Sequence, residues 1–146
     1  MRSLTLACAL ALSGCAQADY IAGRGGIAAM IDASAARHGV PAPVAHAIVQ
    51  IESRYDCRAR SSHGAQGLMQ VMPRTARGVG VSGPLTDCAV GLEAGMRYLS
   101  TIIARHGVSC ASLGLYQRGE WARLRCTGYG ARAMRLAGIS AEKNRD

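Results

Sequence analysis

Apolar residues recur at helical spacing along this sequence, and no stretch keeps the alternation that a half-buried strand needs. One continuous helix face, with the spacing i, i+4, i+7 and i+11, is formed by Val44, Ile48, Ile51 and Tyr55. Glycines and prolines interrupt the pattern at short intervals. The pattern therefore predicts an all-α fold of about seven short helices, and 146 residues suffice for one compact domain.

Most of the chain beyond residue 26 belongs to a predicted helix. The hydrophobic fraction of 49% is ordinary for a soluble globular protein, and with no Phe and one Trp the core must be built from aliphatic residues. The predicted helices are 27–38, a second that Pro43 starts, 65–72, a turn or two at 74–78, 88–105, 110–117, 120–125 and 129–137.

Residues 1–18 have the pattern of a signal peptide, since Arg2 precedes an apolar run that is too short to span a bilayer. The motif "AQA" ends this stretch and predicts cleavage before Asp19, which leaves a domain of residues 19–146. The alternative is a buried N-terminal helix.

A second processing signal competes with the first. The motif "LSGC" is similar to a bacterial lipobox, and cleavage there would make Cys15 a lipidated N-terminus. We slightly favour the lipobox because all four of its positions fit. Either signal predicts an exported protein, which is free in the periplasm if cut before Asp19 and an outer-membrane lipoprotein if anchored through Cys15. The intact mass of the exported protein separates the two.

Four cysteines remain once the signal peptide and Cys15 are set aside: Cys57, Cys88, Cys110 and Cys126. An even number of cysteines in an oxidising compartment predicts two disulfides, for which three connectivities exist. A zinc site is the competing interpretation, and the absence of any C-x-x-C spacing among these four disfavours it. We therefore expect neither a metal nor another cofactor.

The formal net charge of +8 suggests an anionic partner. Nucleic acid is not expected to meet an exported protein. An anionic polymer of the cell envelope fits that compartment better.

Glu52 lies near the end of the predicted second helix, about 40° around the helix axis from Ile48 and thus at the edge of the apolar face. One interpretation is a partly buried carboxylate paired with Arg54 or Arg58. The other is a carboxyl group in an apolar cleft, where its pKa would be raised so that it could donate a proton near neutral pH.

The segment "ESRYDCRARSSHGAQGLMQVMP", residues 52–73, resembles the motif of the lytic transglycosylase domain of the soluble-transglycosylase and goose-type lysozyme group. The resemblance continues in "GLEAGMRYL" at 91–99 and "LGLYQRG" at 113–119, and it covers about residues 27 to 138. The matching motif positions are Glu52, Ser53, Ser61, Gly64, Ala65, Gly67, Leu68, Met69, Gln70 and Pro73.

The resemblance implies a lysozyme-like fold and cleavage of the β-1,4 bond between N-acetylmuramic acid and N-acetylglucosamine in peptidoglycan, with 1,6-anhydro ends as the product. It implies that Glu52 is the catalytic acid and base, with Asp56 as the nearest second acid and a residue more typical of a helix end. Gln117 stands where the family usually has Asn. The implied substrate-binding residues are Ser53, Ser61, Met69, Gln70, Met72, Tyr116, Gln117 and Tyr129.

The resemblance also favours one disulfide pairing. Cys57 and Cys88 fall in segments that flank the expected cleft, and Cys110 and Cys126 bracket two short helices that should run antiparallel. Two other functions stay open, a non-catalytic peptidoglycan-binding module and a hydrolytic lysozyme. The expected partner is the glycan strand of peptidoglycan. The resemblance is also compatible with a role alongside an envelope-spanning secretion or conjugation apparatus.

Overall fold

The computed structural model describes the backbone of residues 12–140 and the side chains of residues 25–140. Within this part of the chain there are six α-helices and no strand, which confirms the predicted all-α class. None of the described helices is both long enough and apolar enough to cross a membrane. The helices are α1 (Leu12–His38), α2 (Ala42–Glu52), α3 (Pro73–Gly78), α4 (Cys88–His106), α5 (Cys110–Arg118) and α6 (Gly128–Leu136).

Helix α1 begins at Leu12, whereas the sequence pattern placed its start at residue 27. The added stretch contains three alanines, and alanine is the strongest helix former. Residues 1–11, the greater part of the predicted signal peptide 1–18, lie outside the described residues, and so does the side chain of Cys15.

Residues 65–72, predicted as a helix, form a tight turn instead. Gln66 and Val71 exchange backbone hydrogen bonds of 3.1 and 3.0 Å across this turn. Gly67 and Gln70 have positive φ angles of 78° and 48°, which a right-handed helix does not accommodate. The amide of Gln70 thus stands on a strained turn rather than on a helix.

Residues 120–125 were also predicted as a helix and are irregular. Gly119, with a φ of 95°, ends α5 just before them. The guanidinium of Arg118 then donates a 2.7 Å hydrogen bond to the carbonyl of Arg123, which holds the turn that follows α5.

Helix α4 crosses the centre of the domain and packs against α1, α3 and α5. The carboxylate of Asp87 caps its first turn by accepting from the backbone N–H groups of Ala89 and Val90. The core around α4 is aliphatic, as the composition predicted. Its largest fully buried side chains are Ile31, Ile48, Leu68, Met69, Leu92, Met96, Leu99, Ile102, Leu113, Leu115, Val44 and Val49.

Two glycines bring the 65–72 turn close to α4. A Cβ at either Gly67 or Gly91 would collide with the same backbone carbonyl, that of Leu85. Because backbone cannot move aside as a flexible side chain can, both positions require glycine. This close approach sets the distance between the 65–72 turn and α4.

The disulfides Cys57–Cys88 and Cys110–Cys126 are both formed, each with Cα atoms 4.9 Å apart, which confirms the favoured pairing. The first joins the segment after α2 to the start of α4. The second joins the start of α5 to the residue just before Thr127, whose hydroxyl caps α6 by accepting from the N–H of Gly130. The first bridge thus anchors the segment that follows α2, and the second anchors the segment that precedes α6.

Candidate active site

Glu52 is the last residue of α2, and its side chain is largely removed from solvent. Burial raises the pKa of the Glu52 carboxyl, and a hydrogen bond from Tyr129 opposes this by a smaller amount. The negative end of the α2 dipole also disfavours the ionised form. In the described part of the chain no arginine pairs with Glu52, so the ion-pair interpretation with Arg54 or Arg58 is wrong there.

Tyr129 contacts Glu52 directly. Its hydroxyl donates a hydrogen bond of 2.5 Å to Oε1 of Glu52 across the packed pair α2 and α6. Burial, followed by the nearby Glu52 charge, raises the pKa of the Tyr129 phenol well above its ordinary range, so the phenol keeps its proton and acts as the donor. One carboxyl oxygen is thereby fixed, and the other remains for a ligand.

A cleft of 590 Å³ opens beside the Glu52 carboxyl. Its walls come from the segment after α2, from α4, and from the end of α5 with Gly119 beyond it. Six of the residues predicted from the resemblance line it: Glu52, Ser61, Gln70, Met72, Tyr116 and Gln117. The other lining residues are His63, Ala65, Val71, Thr75, Tyr98, Arg118 and Gly119.

Ser61 and Gln70 present polar atoms from the floor of this cleft. The Ser61 hydroxyl oxygen accepts from the N–H of Ala65 at 3.0 Å, which leaves its own hydrogen available to donate. The amide nitrogen of Gln70 donates to the carbonyls of Ala59 and Gly67, at 3.1 and 3.0 Å. The amide oxygen of Gln70 is therefore the atom that can accept from a bound sugar.

The structure places Ser53 and Met69 away from the cleft lining. The Ser53 hydroxyl donates a 2.7 Å hydrogen bond to the carbonyl of Leu68 and so ties the end of α2 to the floor. Met69 is fully buried against Gly95 of α4, where a Cβ would collide with its side chain. Ser53 and Met69 thus contact other parts of the protein and do not line the cleft.

Tyr116 joins the floor to the wall. Its hydroxyl donates a 2.9 Å hydrogen bond to the carbonyl of Met69. The centre of its ring lies 5.3 Å from the centre of the Tyr98 ring on α4. Burial raises the pKa of both phenols, so each stays neutral. Tyr116 thereby holds the strained turn and the α4–α5 wall in one arrangement.

Sequence reasoning did not assign His63, Thr75, Tyr98 or Arg118 to the site, although all four line the cleft. A usable signal existed for at least three of them, since His63 lies in the motif at 52–73. Tyr98 lies in "GLEAGMRYL", and Arg118 follows Gln117 in "LGLYQRG", both of them stretches that carry the resemblance.

Comparison with known families gives the same relationship. The family model described as "Transglycosylase SLT domain" matches residues 29–131, which is most of the chain. The chain belongs to this family. The matched range contains every residue that lines the cleft and the two disulfides as well.

Two solved structures show how the SLT domain of this chain compares in fold. One is an inactive mutant of the lytic transglycosylase Slt from Pseudomonas aeruginosa, with a TM-score of 0.59 and 24% identity over 77% of this chain and 20% of that one. The other is the 70-kDa soluble lytic transglycosylase in complex with bulgecin A, with a TM-score of 0.56 and 24% identity over 75% and 18%. The chain thus spans about a fifth of the length of these proteins, and the likeness concerns the fold.

Proposed function

We propose that this protein is a peptidoglycan lytic transglycosylase that cleaves the β-1,4 bond between N-acetylmuramic acid and N-acetylglucosamine. The observation that carries the proposal is the Glu52 carboxyl, which faces the cleft with a pKa raised by burial and one oxygen fixed by Tyr129. Membership of the SLT family and the likeness to two lytic transglycosylases support the choice of substrate.

In this mechanism Glu52 acts twice. Protonated Glu52 first donates its proton to the glycosidic oxygen as the bond to the anomeric carbon breaks. The resulting carboxylate then takes the proton from the 6-hydroxyl of the muramic residue while that oxygen bonds to the anomeric carbon. The product carries a 1,6-anhydro end, and Glu52 regains its proton without the entry of water.

The described part of the cleft offers no second carboxylate for the usual two-acid mechanism, in which the two groups flank the scissile bond. Asp56 is exposed, is not among the lining residues, and accepts a 2.8 Å hydrogen bond from the N–H of Arg58. The nucleophile in this mechanism is the 6-hydroxyl of the substrate and Glu52 serves as both acid and base, so the cleft needs no second carboxylate.

The products of digestion test this proposal against its two rivals. Purified protein is incubated with isolated sacculi, and the released fragments are analysed by mass spectrometry. We expect muropeptides with anhydro ends. Reducing ends, which are heavier by one water, would mean a hydrolytic lysozyme, and binding to sacculi without release would mean a non-catalytic module.

Replacing Tyr129 by phenylalanine should shift the pH dependence of cleavage. The hydrogen bond from Tyr129 stabilises the Glu52 carboxylate and lowers its pKa, so its loss raises that pKa further. The reactive form is protonated Glu52, and activity falls as pH rises through its pKa. We therefore expect the alkaline limb of kcat/KM to move to higher pH while kcat drops about tenfold from poorer positioning.

Initial rates of fragment release across pH measure this shift. Tyr55→Phe is a matched control, since it also removes one phenol hydroxyl, and that hydroxyl hydrogen-bonds His46 at 3.0 Å. An alkaline limb that stays in place or moves to lower pH would show that the phenol does not tune Glu52.

We place this activity outside the cytoplasm, in the periplasm. The signal pattern of residues 1–18 and the basic charge support this location, because peptidoglycan lies there and carries anionic groups. Attachment to the outer membrane through Cys15 remains part of the same proposal.

A further inference from the structure

Arg118 is the last residue of α5 and lines the wall of the cleft. Among the described lining residues it alone carries a permanent positive charge, and Glu52 is the only carboxyl group among them. Arg118 is therefore a fixed positive charge at the α5 end of the cleft, whereas burial raises the pKa of the Glu52 carboxyl and so disfavours its negative form.

The guanidinium of Arg118 is held in place but not neutralised. Its Nη2 donates to the carbonyl of Arg123 at 2.7 Å, while its Nε is buried and has no hydrogen-bond partner among the described residues. No described carboxylate forms an ion pair with it, although the more exposed Arg97 and Arg105 pair with Glu93 and Glu120.

The turn that carries the accepting carbonyl is itself anchored. The N–H of Ala122 donates to the carbonyl of Gly119 at 3.1 Å, and the carboxylate of Glu120 pairs with Arg105 of α4 at 2.9 Å. A half-buried cation without a counter-charge is unfavourable for the folded protein. An arginine anchored in this way, in the wall of the cleft, can offer its remaining guanidinium N–H groups as charge-assisted donors to an anion from outside.

We propose that Arg118 binds a carboxylate of the substrate and makes this cleft selective for glycan strands that carry free carboxylates. The inference rests on the proposed function and names a chemical feature of its substrate. Such a carboxylate has two sources in peptidoglycan, the lactyl group of a muramic residue without its peptide and the peptide stem of a substituted one.

Binding to three oligosaccharides of equal length tests the role of Arg118. The first is a neutral N-acetylglucosamine oligomer, the second a glycan fragment with free lactyl carboxylates, and the third a fragment with peptide stems. Calorimetric titrations use the Glu52→Gln background to prevent turnover. Arg118→Gln is compared there with Arg118→Lys and with Arg125→Gln, a matched loss of one exposed charge outside the cleft.

We expect Arg118→Gln to weaken binding of a carboxylate-bearing fragment by about tenfold or more and binding of the neutral oligomer by less than about twofold. Arg118→Lys should recover part of the loss, because it restores charge without the planar fork. The fragment that suffers the loss identifies the carboxylate as lactyl or peptide.

Two results would overturn the role of Arg118. One is an equal loss for all three ligands, which would mean that the side chain only shapes the cleft, and the other is no loss for either anionic fragment. Release of fragments from sacculi by the wild-type protein reports separately on the proposed function. If the protein with Arg118 intact releases nothing and binds none of the three ligands, both proposals fail.

Discussion

Replacing Glu52 by glutamine should lower the rate of glycan cleavage at least a hundredfold, because general acid–base catalysis is typically worth about 10²–10⁴ in rate. Glutamine keeps the size of the side chain and can still accept a hydrogen bond from Tyr129, but its amide has no acidic proton to transfer to the glycosidic oxygen. The fold and the binding of sacculi should therefore persist. Fragment release and sacculus pull-down, measured on the same preparation, separate the two properties.

The same variant should be at least as stable as the wild-type protein at neutral pH. Burial raises the pKa of Glu52 in the folded state above its ordinary value of 4.5. The free energy of unfolding therefore carries no penalty from Glu52 below about pH 4.5, where the carboxyl is protonated in both states. It decreases as pH rises toward and through the pKa of the folded state. Glutamine does not ionise, so the variant escapes that loss, and thermal melts at acid and neutral pH show the difference.

Asp56→Asn is the matched control for Glu52→Gln. It removes the nearest other acid on the same segment, one that is exposed and lies outside the cleft lining. We expect its activity to stay within a few-fold of the wild-type level. Strong loss in Asp56→Asn, or more than about a hundredth of the activity left in Glu52→Gln, would contradict a mechanism with a single carboxyl group.

The parts of the fold that sequence reasoning predicted are those with strong local signals. Helix α4 was expected at 88–105 from a long helical pattern closed by a glycine at position 107, and it spans Cys88–His106. The turn at 65–72 had no such signal. Its positive φ angle at Gln70 and the contact of Gly67 with the Leu85 carbonyl depend on residues distant in sequence, so local propensity favoured a helix instead.

The candidate site divides in the same way. Glu52 could be singled out because its position on the helix face and the motif around it agree. The unpaired state of Arg118 could not, because it depends on where the Arg123 carbonyl and the glutamates of other segments end up in space. Spacing along the chain predicts which residues share a face, whereas the partners of a charged group follow from tertiary packing.

Removing the disulfide Cys57–Cys88 with the double replacement Cys57→Ala and Cys88→Ala should strongly destabilise the domain. The bridge spans 31 residues of sequence, and restricting the unfolded chain over such a loop is worth about 4 kcal/mol in the chain-entropy estimate. For a domain of this size we expect the melting temperature to fall by roughly 15 °C. The closed loop contains Ser61 and Gln70, so the cleft floor should loosen first.

Melting under oxidising and reducing conditions isolates each bridge. Reductant acts on both bridges in the wild-type protein, but in the double variant it can act only on Cys110–Cys126, which spans 16 residues and is worth about 3 kcal/mol by the same estimate. The variant should therefore melt lower than the wild-type protein when oxidised and fall further when reduced. Two results would show that Cys57–Cys88 does not hold the cleft floor against α4. One is an equal melting temperature for the oxidised wild-type protein and the oxidised double variant, and the other is free thiols in the oxidised wild-type protein.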